Sequence, residues 1–234
     1  MACRVLLIAS TPSPDAVVAA AARICYSDAS AADLLEAESP ERSAKLLRHL
    51  WESGHYSPFE HASFTFAMDG LSRVASHQLV RHRIASFSQQ SQRYVEMDEP
   101  DVILPPSVAS STAFSERFRT MAEEAHRFYA EMVGAGIPRE DARFILPHGW
   151  STRLVMTMNA RELHHFFTLR LCRRAQWEIR NLARKMLRLA RRAAPLLFEK
   201  AGPSCVISGE CGEMNPCGKP YDSLEMLLLD EENS

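Results

Sequence analysis

What the 234-residue chain does not contain already narrows its function. No apolar run reaches the roughly 18 residues that a membrane-spanning helix needs, so no membrane partner is expected. The apolar part of MACRVLLIAS is too short for a signal peptide and is followed by Pro12 and Pro14, so a cytoplasmic location is expected. Neither GxGxxG after a strand nor GxxxxGK[ST] occurs, which removes the two common nucleotide-binding loops. HExxH and paired CxxC are also missing. No GxSxG elbow accompanies His61 or His82, so a Ser–His hydrolase has little support. Six cysteines in a chain of this length do not suggest a secreted disulfide framework.

What is present describes a globular protein with a real core, since 46% of the residues are apolar. The formal charge of −2 conceals an asymmetry. Residues 143–192 are rich in arginine with few acids besides Glu162 and Glu178, whereas the tail DSLEMLLLDEENS is acidic. A basic half points to an anionic ligand, either nucleic acid or a phosphorylated small molecule.

RVLLIAS (4–10) reads as a buried strand, and SPDAVVAAAARICY as a helix with Ser13 as cap and Pro14 at its first position. SPERSAKLLRHLWESGH repeats that device, with Leu47, Leu50 and Trp51 as its apolar stripe and Gly54 as its end. Ser57 and Glu60 have capping-box spacing. ASFTFAM (62–68) alternates like a strand, and LSRVASHQLVRHR returns to helical spacing. On such a helix Gln78, Arg81 and His82 would share a face. A long helix is expected over about 113–133, with Phe114, Phe118, Met121, Ala125, Phe128 and Met132 inward. PREDARFILP gives a short helix, STRLVMTMN (151–159) a strand, and ARELHHFFTLR and AQWEIRNLARKMLRLARRAA two more helices. This order is mixed rather than repeating βαβ, so the expected class is α+β: one domain of helices around a central, mostly antiparallel sheet.

The stretch RHRIASFSQQSQRY (81–94) combines Arg81, His82, Arg83 and Arg93 with serines and glutamines and holds no acidic residue. Guanidinium forks suit phosphate, and Ser86, Ser88 and Ser91 add hydroxyls, so a cradle for phosphate-bearing ligands is plausible. A solvated basic loop, or one touching RNA, fits the charge equally well. Against a single-strand platform, only Phe87 and Tyr94 offer rings to stack on.

The form Arg-His-Arg, seven residues, Ser, then QRY resembles the signature of the flavin-dependent thymidylate synthases. GHYSPFEH (54–61), ARFILP (142–147), NARELHHFFTLR (159–170) and AQWEI (175–179) agree with that family in order and spacing. The resemblance covers roughly 1–200 and leaves 201–234 as a cysteine-containing extension with an acidic tail. It implies synthesis of dTMP from dUMP, with methylenetetrahydrofolate as carbon donor, NADPH as reductant and tightly bound FAD. It also implies a homotetramer whose active sites are shared between subunits, and no nucleic-acid partner. By matching position, Ser57, Arg81, His82, Arg83, Gln89, Asn159, Arg161 and His165 would contact FAD. Gln78, Arg81, Gln89, Gln90, Ser91, Gln92, Arg93, Arg143 and Arg170 would hold dUMP. Arg170 and His55 are the catalytic candidates, Arg170 by stabilising charge that develops on the uracil ring and His55 by sitting near the flavin. Gln89 and His165 depart from the pattern, standing where members often have Glu and Asn.

Plainer readings stand beside these. Ser57 can be a helix cap, His55 and His61 structural, and Arg143 and Arg161 ion-pair partners. His77, His148 and His164 carry no expected role. Arg173, Arg174, Arg180, Arg184, Arg188, Arg191 and Arg192 are expected on a solvated helix face or at subunit contacts. Cys3, Cys25 and Cys172 are read as small hydrophobes. Cys205, Cys211 and Cys217 recur every six residues in a Gly/Pro-rich segment. Zinc prefers tighter pairs and a fourth ligand, so reduced thiols in a surface loop, with no metal, are expected.

Overall fold

The computed structural model describes residues 3–229, so the last residues of the acidic tail lie outside the described chain. The fold is α+β around an open antiparallel sheet of four strands. The strands are β1 (Arg4–Ser10), β2 (Ser63–Ser72), β3 (Ala85–Gln89) and β4 (Ser151–Asn159), in the order β1-β2-β4-β3. The strands at 4–10, 62–68 and 151–159 were legible from the sequence, although β2 runs on to Ser72; β3 falls inside the stretch read as a basic loop. β1 is an edge strand rather than a buried one, and Leu6 and Ile8 are exposed. Its apolar run looks like a central strand by composition, and sequence periodicity cannot tell which strand ends up at the edge.

The packing divides into two compact units. The first comprises Met68–Arg81, Phe87–Val155 and the start of the chain to Arg4. It holds α4 (Arg73–Leu79), α5 (Pro106–Ala109), α6 (Thr112–Gly134) and α7 (Arg139–Ala142). Ser72 caps α4 by accepting the Ala75 amide at 3.1 Å. The helix ends at Leu79, so Arg81 lies in the turn beyond it, and Gln78 shares no helix face with Arg81 or His82. A core of Met97, Tyr129, Ala142, Leu146 and Trp150 forms beneath α6, with His126 stacked on Trp150 and bonded to the Met97 carbonyl at 2.7 Å. The buried row of α6 is Ser115, Ala122 and Tyr129. Phe114, Met121 and Phe128, expected inward, are 66%, 59% and 50% exposed. They stand one position off the buried row, where a turn of 100° per residue carries them to the outside.

The second unit comprises Val5–Ala67, His82–Ser86 and the chain from Met156 on. It holds α1 (Pro14–Arg23), α2 (Ala31–Glu36), α3 (Pro40–Glu52), α8 (Ala160–Arg170), α9 (Trp177–Ala193), α10 (Ser204–Ile207) and α11 (Leu224–Leu229). Pro14 opens α1 as expected, but Ser13 is left-handed at φ 45° and makes no side-chain cap bond. Ser39 does cap α3, accepting the Arg42 amide, and Gly54 follows its end at φ 73°, where a Cβ would be strained. Ser57 is not a cap: it opens a 3₁₀ turn, Ser57–His61, that has no side-chain cap bond. Phe64 and Phe66 are fully buried, and Phe64 meets Phe198 edge to face at 5.2 Å. Each such ring contributes about 1.5–3 kcal/mol of burial.

The arginines after α8 and along α9 are not simply solvated. Arg184 is buried against Asn181 Oδ1 at 2.9 Å. Arg174 donates to the Asn215 carbonyl and Arg188 to the Leu228 carbonyl, while Arg173 lies over the Tyr221 ring at 3.9 Å. These contacts bind the C-terminal segment to the helices before it.

Candidate functional site

In the first unit, polar side chains gather around residues 89–93. Gln89 closes β3, and its amide nitrogen donates to Ser76 Oγ at 3.1 Å and Thr152 Oγ1 at 3.2 Å. Its donors are therefore spent inside the protein. Gln90 receives Arg73 Nη2 on its carbonyl at 3.2 Å. Ser91 Oγ accepts the Arg93 amide at 3.2 Å and so fixes the turn. Gln92 is buried rather than lining a loop, and its Nε2 has no partner among the described residues. Arg93 pairs with the Glu140 carboxylate at 2.8 Å, and Arg143 Nε donates to the Glu140 carbonyl at 3.1 Å. Arg73 is pushed below the usual guanidinium range by burial and then by the nearby charge of Arg143. Three guanidiniums thus crowd one short stretch, and the Nε of Arg73 is buried without a partner among the described residues. An anion would relieve that crowding. Sequence reasoning missed Arg73, which reads as an ordinary helix residue. Gln78 is half-buried and Arg81 exposed.

In the second unit, α8 organises the rest. Asn159 caps it by accepting the Glu162 amide at 2.9 Å, so the amide nitrogen is what Asn159 has left to offer a ligand. Glu162 is buried and meets His82 Nδ1 at 3.0 Å. Arg170 Nε–H donates to His82 Nε2 at 3.1 Å. A guanidinium cannot accept, so Nε2 carries the lone pair and the His82 proton sits on Nδ1, donated to Glu162. Burial depresses the His82 pKa, the Glu162 hydrogen bond opposes that, and the charge of Arg170 adds to it. Arg170 is itself lowered by burial. His82, Glu162 and His165 could be taken for a metal triad, since their ligand atoms lie within 4.8 Å. The guanidinium on His82 Nε2 argues against a cation there. Glu162 also escaped sequence reasoning: three residues after Asn159 it looks like part of a capping box, and only the fold turns it toward His82.

Arg161, at the other end of α8, pairs with Glu60. It lies about 13 Å along the helix axis from Arg170, at 1.5 Å per residue. Arg161 and His165 line a cleft of about 330 Å³ whose wall is Trp51, Tyr56, Phe59 and His164. His55 and Ser57 lie on a second cleft, of about 560 Å³, with Arg23, Arg42 and His49. Arg83 is exposed just after His82. Aromatic rings beside cations suit a planar, phosphate-bearing cofactor such as a flavin nucleotide. The residues present therefore fit that group.

Comparison with known proteins identifies the family. A family model described as "Thymidylate synthase complementing protein" matches residues 6–196. A flavin-dependent thymidylate synthase of Geobacter sulfurreducens is 48% identical over 219 residues, covering 92% of this chain and 94% of the relative. One of Clostridium tetani is 42% identical over 245 residues, covering 97% of this chain and 98% of the relative. That alignment also takes in residues beyond 200. Among solved structures, a UMP/dUMP methylase, PolB, of Streptomyces cacaoi bound with 5-Br dUMP superposes with TM-score 0.75 at 29% identity, over 84% of this chain and 93% of that one. The protein is an enzyme. It belongs to the flavin-dependent thymidylate synthase family.

Proposed function

We propose that the protein converts dUMP to dTMP, using methylenetetrahydrofolate as carbon donor and NADPH as reductant through bound FAD. Family membership supports the reaction, and Arg170 is the observation that carries the residue-level reading. A guanidinium half-withdrawn from water and tethered through Nε to a neutral histidine is a fixed cation. Uracil C5 attacks a one-carbon unit poorly unless charge on N3 and the adjacent carbonyl is stabilised. A cation held at that edge lowers the barrier without reorganising. The dUMP phosphate is assigned to Arg93, Arg143 and Ser91, with Arg73 added to that set and with Gln78, Arg81, Gln89, Gln90 and Gln92 around the nucleotide.

FAD is assigned to Ser57, Arg81, Arg83, Asn159, Arg161 and His165, with His55 near its ring and Gln89 at its margin. His82 uses both ring nitrogens inside the chain, so its role is to position Arg170 rather than to touch the cofactor. When bound, FAD supplies the reducing equivalents taken from NADPH. Trp51, Tyr56 and Phe59 exclude water from that cleft. Homotetramer assembly, with each site drawing residues from different protomers, is part of the proposal. The exposed Phe114–Met121–Phe128 stripe supports it, because a monomer seldom leaves such a row to water.

The test is spectroscopic and catalytic. Purified protein should be yellow, and NADPH should bleach it without oxygen. Arg170→Ala should keep the flavin but lower dTMP formation at least ~100-fold, as for loss of one charge-stabilising donor. A colourless protein that FAD does not reconstitute rejects the cofactor, and full turnover by Arg170→Ala rejects the role of that residue.

A further inference from the structure

Spacing alone shows three late cysteines and no fourth ligand. The fold supplies the fourth. Cys172, just beyond α8, lines one cavity of about 390 Å³ together with Cys205, Cys211 and Cys217. All four are free thiols. Cys172 is therefore no isolated hydrophobe packed on a helix. We infer that these four cysteines form a tetrathiolate site for one zinc ion, which ties the C-terminal segment to the end of α8.

Three further observations support this. First, two of the sulfurs already receive backbone amides from the residue two places on. The Lys219 amide donates to Cys217 Sγ at 3.4 Å, across Gly218 at φ 70°, and the Arg174 amide bonds to Cys172. Amides aimed at sulfur stabilise the thiolate form, the task of the groups surrounding a metal's ligands. Second, Arg173 and Lys219 line the same cavity against a single carboxylate there, Glu213, and Arg174 lies beside Cys172. Zinc bound by four thiolates carries a net charge of about −2, which such cations offset. Third, residues 208–220 are exposed throughout and contain no helix or strand. An irregular loop of this length normally has a function or a staple.

The sulfurs have some distance to close. Among the described residues, only His82, Glu162 and His165 form a group of three such ligands within 4.8 Å. Zinc–sulfur bonds of about 2.3 Å require the loop to draw in around the ion. The short hinges for this are Gly209, Gly212 and Gly218, of which Gly209 and Gly218 have positive φ. Zinc suits the site better than calcium or magnesium because thiolates are soft ligands.

Full-length protein, purified under reductant without chelator and supplied with zinc sulfate, should hold about one zinc per chain by mass spectrometry of the metal. Cobalt in its place should give thiolate-to-metal charge transfer and the visible bands of a tetrahedral centre. Cys172→Ser and Cys217→Ser should each lower zinc at least ~10-fold while keeping the wild-type far-ultraviolet dichroism. A measurement on the wild type alone covers the case in which a variant fails to fold. There, a mercurial titration should release zinc in step with modification of these four thiols. The inference is overturned by zinc-supplied protein that stays metal-free, by unchanged zinc in both variants, by disulfides among these cysteines, or by iron with acid-labile sulfide.

Discussion

His164 offers a quantitative check on the packing behind the aromatic cleft. It is 5% exposed and sits 4.3 Å from Trp51, with Phe198 stacked at 5.3 Å. Its Nε2–H donates to the Leu197 carbonyl at 2.8 Å, and Nδ1 is buried without a partner among the described residues. Burial lowers its pKa from 6.5 to about 4, against a smaller opposing pull from the Leu197 carbonyl. The folded chain therefore binds fewer protons here than the unfolded chain between those values. That contribution to stability is complete above pH 6.5 and is lost as pH falls toward 4. One pKa unit corresponds to 1.36 kcal/mol, so the loss is roughly 2 kcal/mol by pH 5 and close to 3 kcal/mol by pH 4. His164→Phe removes the titration but leaves the Leu197 carbonyl unsatisfied, at a cost of about 1–3 kcal/mol at pH 7.5. The stability gap between wild type and variant should then narrow by roughly 2 kcal/mol between pH 7.5 and pH 5. Urea unfolding followed by tryptophan fluorescence measures this, at one protein concentration and saturating FAD so that assembly and ligand linkage stay constant. A gap that stays constant across that range would refute the assignment of a buried, neutral His164.

The remaining predictions concern the two clusters. Glu162→Ala should strand the His82 Nδ1–H and free Arg170, lowering kcat about 10-fold or more with little change in flavin content; Glu162→Gln, which still accepts from Nδ1, should restore most of the loss. Equal kcat in Glu162→Ala and wild type would show that His82 does not orient Arg170. Arg73→Ala should raise the KM for dUMP about 10-fold with kcat nearly intact, as expected for a phosphate-binding cation, and an unchanged KM would remove Arg73 from the anion site.

Much of the fold could be read from pattern. The alternation Thr152, Leu154, Met156, Met158 marks a strand half-buried on one face, and those residues are buried in β4. Pro40 behind Ser39 marks a helix start, because proline lacks the amide that the first turn leaves unused. Pattern failed where two solutions share one local signature. An apolar run at 4–10 suits a central or an edge strand alike. In α6 the Phe114–Met121–Phe128 row is more apolar than the row actually buried, so composition chose the wrong face.

The same division runs through the site. The order and spacing of RHRIASFSQQSQRY, NARELHHFFTLR and their neighbouring blocks fixed the family, because side-chain chemistry at set intervals is a property of the chain itself. The sequence could not show that the Asn159–Glu162 cap turns its carboxylate onto His82, that Arg73 joins Arg93 and Arg143, or that Cys172 lines one cavity with Cys205, Cys211 and Cys217. Those pairings join residues far apart along the chain. Their energies come from burial and from distances between side chains, which do not exist until the chain has folded.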